Sequence, residues 1–110
     1  TNKEKQNLLE LAKESEILGA QAVLLECVTT DTAKLITENI SIPTIGIGAS
    51  KYCDGQVLVF DDLINLSING KKPKFVKNYF NFKKVASNVI KKYNREVKLK
   101  KFPSTKFSYN

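Results

Sequence analysis

The chain has 110 residues, 42% of them hydrophobic, which suits one small folded domain and excludes a disordered polymer. No apolar run approaches the roughly 20 residues that cross a bilayer, and the charged start TNKEKQNLLE lacks the apolar centre of a secretion signal, so a cytoplasmic protein is expected. The net charge of +7 is uneven, with −5 over residues 1–70 and +12 over residues 71–110.

In chain order, KEKQNLLELAKESEIL (residues 3–18) spaces Leu8, Leu9, Leu11, Ala12, Ile17 and Leu18 for a helix, and Gly19 supplies its stop. QAVLLECV (residues 21–28) reads as a strand without polar alternation, so both its faces are expected to be covered, as in a parallel α/β sheet. Thr29, Thr30 and Asp31 offer N-caps for a second helix to about Asn39, with Ala33, Leu35, Ile36 and Ile40 available for packing; Pro43 ends the connection. TIGIGA (residues 44–49) is a second buried strand, and QVLVF (residues 56–60) a third. The linker between them is shorter than the dozen or so residues of an ordinary parallel crossover, which leaves a hairpin open on spacing alone. DDLINL begins with two acids suited to a helix N-terminus. Pro73 suits a first helical turn, and FKKVASNVIKKYNREV places Val85, Val89 and Tyr93 on one helical face; the closing KFPSTKFSYN has no clear period.

Glu26 stands out. A carboxylate inside an apolar strand must be paired, protonated, or set at the strand end facing a polar site. In parallel α/β folds ligands bind at the carboxyl ends of strands, and there desolvation would make Glu26 a usable proton acceptor; a buried ion pair is the competing reading. The other motifs are weaker. GIGAS (residues 46–50) lacks the third glycine of a dinucleotide fingerprint and the Gly-Lys-Ser/Thr ending of a P-loop, so close packing is the simpler account. The chain has no histidine, which leaves Ser50 without an activating base and precludes zinc-site spacing around Cys27 and Cys53, read as free thiols. Asp54-Gly55 reads as a turn, and Asp61 with Asp62 as helix capping in preference to a metal pair. KPKFVKNYF interleaves lysine and aromatic residues without a nucleic-acid module signature. The bland reading of the basic tail is a solvated helix face. The alternative is a non-catalytic interaction domain in which Lys71, Lys72, Lys74 and Lys77 bind RNA or an acidic partner.

Three covered strands do not complete a parallel α/β domain, since a barrel takes eight strands and about 250 residues. Taken together, GAQAVLLECV, IPTIGIGASKYCDGQVLVFDDL and KPKFVKNY, from Gly19 to Tyr79, resemble the C-terminal part of ketopantoate hydroxymethyltransferase. The resemblance implies the last three strands and C-terminal helices of a (β/α)8 TIM barrel, incomplete in this chain. Residues 1–70 would supply the barrel strands and helices, and residues 71–110 a basic helical extension of the same domain. It favours a barrel edge over a hairpin for the short linker. It implies hydroxymethyl transfer from 5,10-methylenetetrahydrofolate to 3-methyl-2-oxobutanoate in pantothenate and coenzyme A synthesis, with Glu26 in the family's LECV motif as the proton acceptor. The Mg²⁺ that polarises the keto acid would have its ligands in an N-terminal part not matched here, so this chain is expected to be inactive alone. A homodecamer follows from the same resemblance, while the absence of a long apolar run argues against a membrane and the solvated-face reading of the tail against nucleic acid. The family's tail commonly carries a histidine where this chain has Lys106. A different metal-dependent aldol-type barrel enzyme would share the fold and differ in substrate.

Overall fold

A computed structural model describes residues 1–66 and 72–109. They divide into two compact units, one of residues 1–59 with 72–76 and one of residues 60–66 with 77–109. The boundary expected between residues 70 and 71, and Lys71 itself, lie outside the described residues.

The first unit is α1 (Asn2–Ile17), β1 (Val23–Glu26), α2 (Thr30–Asn39), β2 (Thr44–Ile47) and β3 (Gly55–Gln56). Helix α1 starts on a capping box, in which the Thr1 hydroxyl accepts the Glu4 N–H and the Glu4 carboxylate reaches back to the cap. It stops at Gly19, whose φ of +95° only glycine adopts freely. There the N–H groups of Gly19 and Ala20 turn back to the carbonyls of Glu16 and Ser15, both at 3.0 Å, in a Schellman closure. The strands form one parallel sheet in the order β1-β2-β3, with Val23 opposite Thr44 and Glu26 opposite Ile47.

One sheet face is packed. Leu9 and Ala12 of α1, Leu25 of β1, and Ala33 and Ile36 of α2 form the core, together with Cys53. Ile36 is 1% exposed, and burying such a side chain is worth about 1.5–3 kcal/mol. The opposite face is not packed: Leu24 is 58% exposed and Glu26 is exposed. Among the described residues of this unit only one face of β1 is covered, because α1 and α2 both pack on the Leu25 side. Leu8, Leu11, Ile17 and Leu18 are likewise exposed, since α1 buries only the stripe through Leu9 and Ala12.

The linker to β3 resolves the hairpin question, for β3 runs parallel to β2, with Ile45 opposite Gly55 and Gly46 opposite Gln56. No crossover helix is used. Instead the linker runs over the packed face, where Cys53 is buried, and a side-chain clamp fixes its far end. Asp54 Oδ2 accepts the Thr44 N–H at 2.8 Å and the Thr44 hydroxyl at 3.0 Å, while the Asp54 N–H donates to Thr44 Oγ1 at 3.2 Å. These bonds to Thr44 hold the Asp54 carboxyl below its ordinary range. The expected strand over residues 56–60 is cut to Gly55–Gln56, with one further ladder bond from the Val57 N–H to the Gly46 carbonyl at 2.9 Å. Beyond it Val59 is 54% exposed and outside the sheet.

In the second unit α3 (Phe60–Leu63) has Asp61 and Asp62 inside its first turn, and α4 spans Phe82–Lys98. The Tyr79 and Phe82 N–H groups bond to the carbonyls of Leu63 and Ile64 at 2.8 and 2.9 Å, and the Asn78 amide donates to the Asp62 carbonyl. Asn81 caps α4 by accepting the Lys84 N–H at 3.2 Å. Val85, Val89 and Tyr93 share a face, as the spacing predicts, but each is exposed within the unit. A 3₁₀ turn at Thr105–Phe107 closes the tail, and Phe102 packs edge-on against Tyr93 with ring centroids 5.5 Å apart. Pro73, in the first unit, opens a turn and not a helix: its carbonyl accepts the Val76 N–H at 3.0 Å, and the chain then leaves as coil.

Candidate active site

Glu26 is the last residue of β1, and the register decides its surroundings. Paired residues of a parallel ladder project to the same side, and successive residues alternate. Thus Val23, Leu25, Thr44 and Gly46 face the helices, whereas Leu24, Glu26, Ile45 and Ile47 face the opposite way. Among the described residues of this sheet face, Glu26 is the one ionisable side chain in an apolar row, and it lies at the carboxyl end of the strands. Within the first unit Glu26 is exposed, so the dry setting expected for it is not formed by the described residues of that unit. Among the described residues no ion pair or side-chain hydrogen bond engages Glu26.

The backbone after Glu26 turns at once. The Cys27 N–H still bonds to the Ile47 carbonyl at 2.9 Å, but Cys27 has a φ of +53°, a left-handed conformation uncommon for a residue with a Cβ. The chain then enters α2, with the Thr29 and Thr32 hydroxyls 2.8 Å apart. Above this strand end lies a cleft of about 750 Å³, lined by Glu26, Cys27, Thr29 and Asp31 and, from the start of α1, by Lys5 and Asn7. The start of α1 and the start of α2 therefore both meet the carboxyl end of β1, which is where a parallel α/β unit presents its chemistry.

The remaining motifs serve the fold. Gly48, with a φ of +62°, lies under the Phe75 ring, so GIGAS is filled by protein and is not a phosphate cradle. The Ser50 carbonyl accepts from the Gln56 side-chain amide at 2.6 Å, and its hydroxyl accepts the Tyr52 N–H at 3.2 Å. Cys27 and Cys53 are free thiols, although their surroundings invert the sequence context: Cys27 of the apolar run is exposed and Cys53 of the polar linker is buried. Lys74 and Lys77 are exposed, and Lys77 lies over the Tyr79 ring at 4.6 Å. No group of three or more His, Cys, Asp or Glu side chains among the described residues could hold a metal ion. No helix among the described residues is long and apolar enough to cross a membrane.

The sequence profile of the family described as ketopantoate hydroxymethyltransferase matches residues 1–105. The chain belongs to that family. It is 49% identical over 105 residues to the 3-methyl-2-oxobutanoate hydroxymethyltransferase of Thermosipho melanesiensis, covering 96% of this chain and 39% of that protein. The enzyme of the same name from Thermosipho africanus is 52% identical over 100 residues, covering 91% of this chain and 37% of the relative. That of Clostridium kluyveri is 48% identical over 103 residues, 94% of this chain and 36% of the relative. The chain therefore spans less than two-fifths of the length of these curated relatives.

For a ketopantoate hydroxymethyltransferase family member, sequence reasoning singled out Glu26 and missed what stands beside it. Ile47 reads only as a strand residue, and nothing local to it signals that the register sets it beside the carboxylate. The Thr44–Asp54 clamp was also hidden, because the two residues are ten apart with no periodic pattern between them.

Proposed function

We propose that this chain is the C-terminal portion of a (β/α)8 barrel that transfers a hydroxymethyl group from 5,10-methylenetetrahydrofolate to 3-methyl-2-oxobutanoate, with Glu26 as the proton acceptor. The observation that carries the reading is a single carboxylate at the carboxyl end of a parallel sheet, on an otherwise apolar face, in a chain of this family. In the closed barrel that face looks inward, and the exposure of Leu24 and Glu26 in this chain marks the surface that the other strands would cover. Residues 1–70 contribute the last three barrel strands, and residues 71–110 a basic helical extension of the same domain.

The chemistry follows from the group. Glu26 takes the proton from C3 of the keto acid, the carbon next to the ketone, and the electron pair of the broken C–H bond passes into the enolate. The enolate carbon then forms a bond to the one-carbon unit of the folate, giving ketopantoate and tetrahydrofolate after hydrolytic release. An apolar surround favours this base, because a carboxylate stripped of water accepts a proton more readily. Magnesium would be held by residues of the barrel's N-terminal part, outside this chain. The reading places the protein in the cytoplasm, as a homodecamer when complete, with keto acid and folate as its partners and no nucleic acid.

The experiment is ketopantoate formation by the protein expressed from its complete reading frame, as wild type and as Glu26→Gln. A general base is worth roughly 10²–10⁴-fold in rate, so turnover is expected to fall by at least about 100-fold while the keto acid still binds. Near-normal turnover in Glu26→Gln overturns the role.

A further inference from the structure

We infer that Phe75 is a positioning residue for proton removal: by filling the space over Gly48 it fixes the peptide from which the backbone of Glu26 hangs. This rests on the reading of Glu26 as the base and adds what holds that base in place. With no ion pair or side-chain hydrogen bond to it among the described residues, the Glu26 carboxylate is aimed by its main chain. The peptide joining Glu26 to Cys27 donates its N–H to the Ile47 carbonyl at 2.9 Å. That carbonyl belongs in turn to the peptide joining Ile47 to Gly48, so whatever fixes Gly48 fixes the end of β1.

Gly48 is where β2 leaves the sheet. Its φ is +62°, and a glycine that nothing holds takes either sign of φ about equally well. Phe75 holds it. A Cβ built on Gly48 would lie 2.5 Å from Phe75 Cδ1, 2.6 Å from Cγ and 3.0 Å from Cβ, so the phenylalanine occupies the space that a side chain at residue 48 would take. The turn presenting Phe75 is itself docked, for the Pro73 carbonyl accepts the Val76 N–H at 3.0 Å and Val76 is 5% exposed. At the other end of the relay Cys27 has a φ of +53°, which a residue with a Cβ keeps only where its surroundings hold it there. With the space over Gly48 emptied, its peptide turns, the Ile47 carbonyl turns with it, Cys27 relaxes and the Glu26 carboxylate swings. A reacting group has to be held within about 0.5 Å of its productive place, and a displacement of about 1 Å costs on the order of 100-fold in rate.

The test is deuterium incorporation at C3 of 3-methyl-2-oxobutanoate in D₂O, with keto-acid affinity measured alongside by calorimetry, in the protein expressed from its complete reading frame. Phe75→Ala is expected to slow exchange by about 10–100-fold while the keto acid binds with wild-type affinity. Phe75→Leu keeps Cβ, Cγ and Cδ1, the three atoms nearest Gly48, and is expected to retain most of the exchange. In Glu26→Gln, Phe75→Ala is expected to leave the residual exchange where it is, because the phenylalanine acts through the carboxylate. Should Phe75→Ala fail to fold, Phe75→Val, which has no Cδ, carries the test with its circular dichroism matching wild type, and exchanges more slowly than Phe75→Leu. Exchange at the wild-type rate in a folded Phe75→Ala or Phe75→Val, or a fall in affinity that accounts for the whole loss, overturns this inference and spares the base. Exchange at the wild-type rate in Glu26→Gln overturns both.

Discussion

Gly48→Ala tests the packing that supports the end of β2. Two costs act on the alanine. A φ of +62° places a Cβ in the left-handed region, at about 1–2 kcal/mol for an L-residue. That Cβ would also lie 2.5 Å from Phe75 Cδ1, 2.6 Å from Cγ and 3.0 Å from Cβ. These atoms sit near the root of the side chain, so a rotation of the ring tip does not clear them. Overpacking of this kind costs roughly 1–3 kcal/mol. The two terms together give about 2–5 kcal/mol, read as a shift in the denaturation midpoint at unchanged slope. The separation comes from a double-mutant cycle with Phe75→Ala. In that background Gly48→Ala should cost only the conformational part, about 1–2 kcal/mol. Equal costs in both backgrounds, or a cost below about 0.5 kcal/mol in wild type, would refute the packing of Phe75 on Gly48.

Acid should weaken the clamp at the other end of β2. The Asp54 carboxyl is held below its ordinary range by the Thr44 N–H and hydroxyl, and the Glu16 carboxyl by the Ser41 hydroxyl and N–H. Their contribution is fully present above the unfolded carboxylate range of about 4 and is lost as pH falls through the lower folded values. Asp54→Asn should therefore be less stable than wild type at pH 7, with the gap closing toward pH 2; a gap constant with pH excludes the clamp. Ile36→Ala, at a site 1% exposed among Leu9, Ala12 and Leu25, should cost about 2–5 kcal/mol in a denaturant titration, and a loss under 1 would contradict the core assignment.

The helices were legible in the sequence because their signals are local. The spacing of Leu9 and Ala12, the stop at Gly19 and the spacing of Ala33 and Ile36 each act within a turn or two of chain, whereas the capping box at Thr1 and Glu4 emerged only in the structure. The first two strands were legible as uninterrupted apolar runs. What those runs could not tell is whether both faces are covered. Leu24 and Leu25 are chemically the same residue, yet one is 58% exposed and the other 6%, because packing depends on which side the helices take. QVLVF carries the strongest strand propensity in the second half and forms the shortest strand, since a ladder needs partners and β3 has one only along β2. The parallel course of the short linker was undecidable from length. It depends on Cys53 entering the core and on one carboxylate reaching Thr44. Glu26 was legible as an anomaly of composition, and its apolar neighbours only through the register.

The central claim is that Glu26 removes the C3 proton. Its most direct measurement is deuterium incorporation at C3 of 3-methyl-2-oxobutanoate in D₂O without folate, using the protein from its complete reading frame. The account predicts exchange in wild type and a loss of at least about 100-fold in Glu26→Gln. Exchange at the wild-type rate in Glu26→Gln would contradict it.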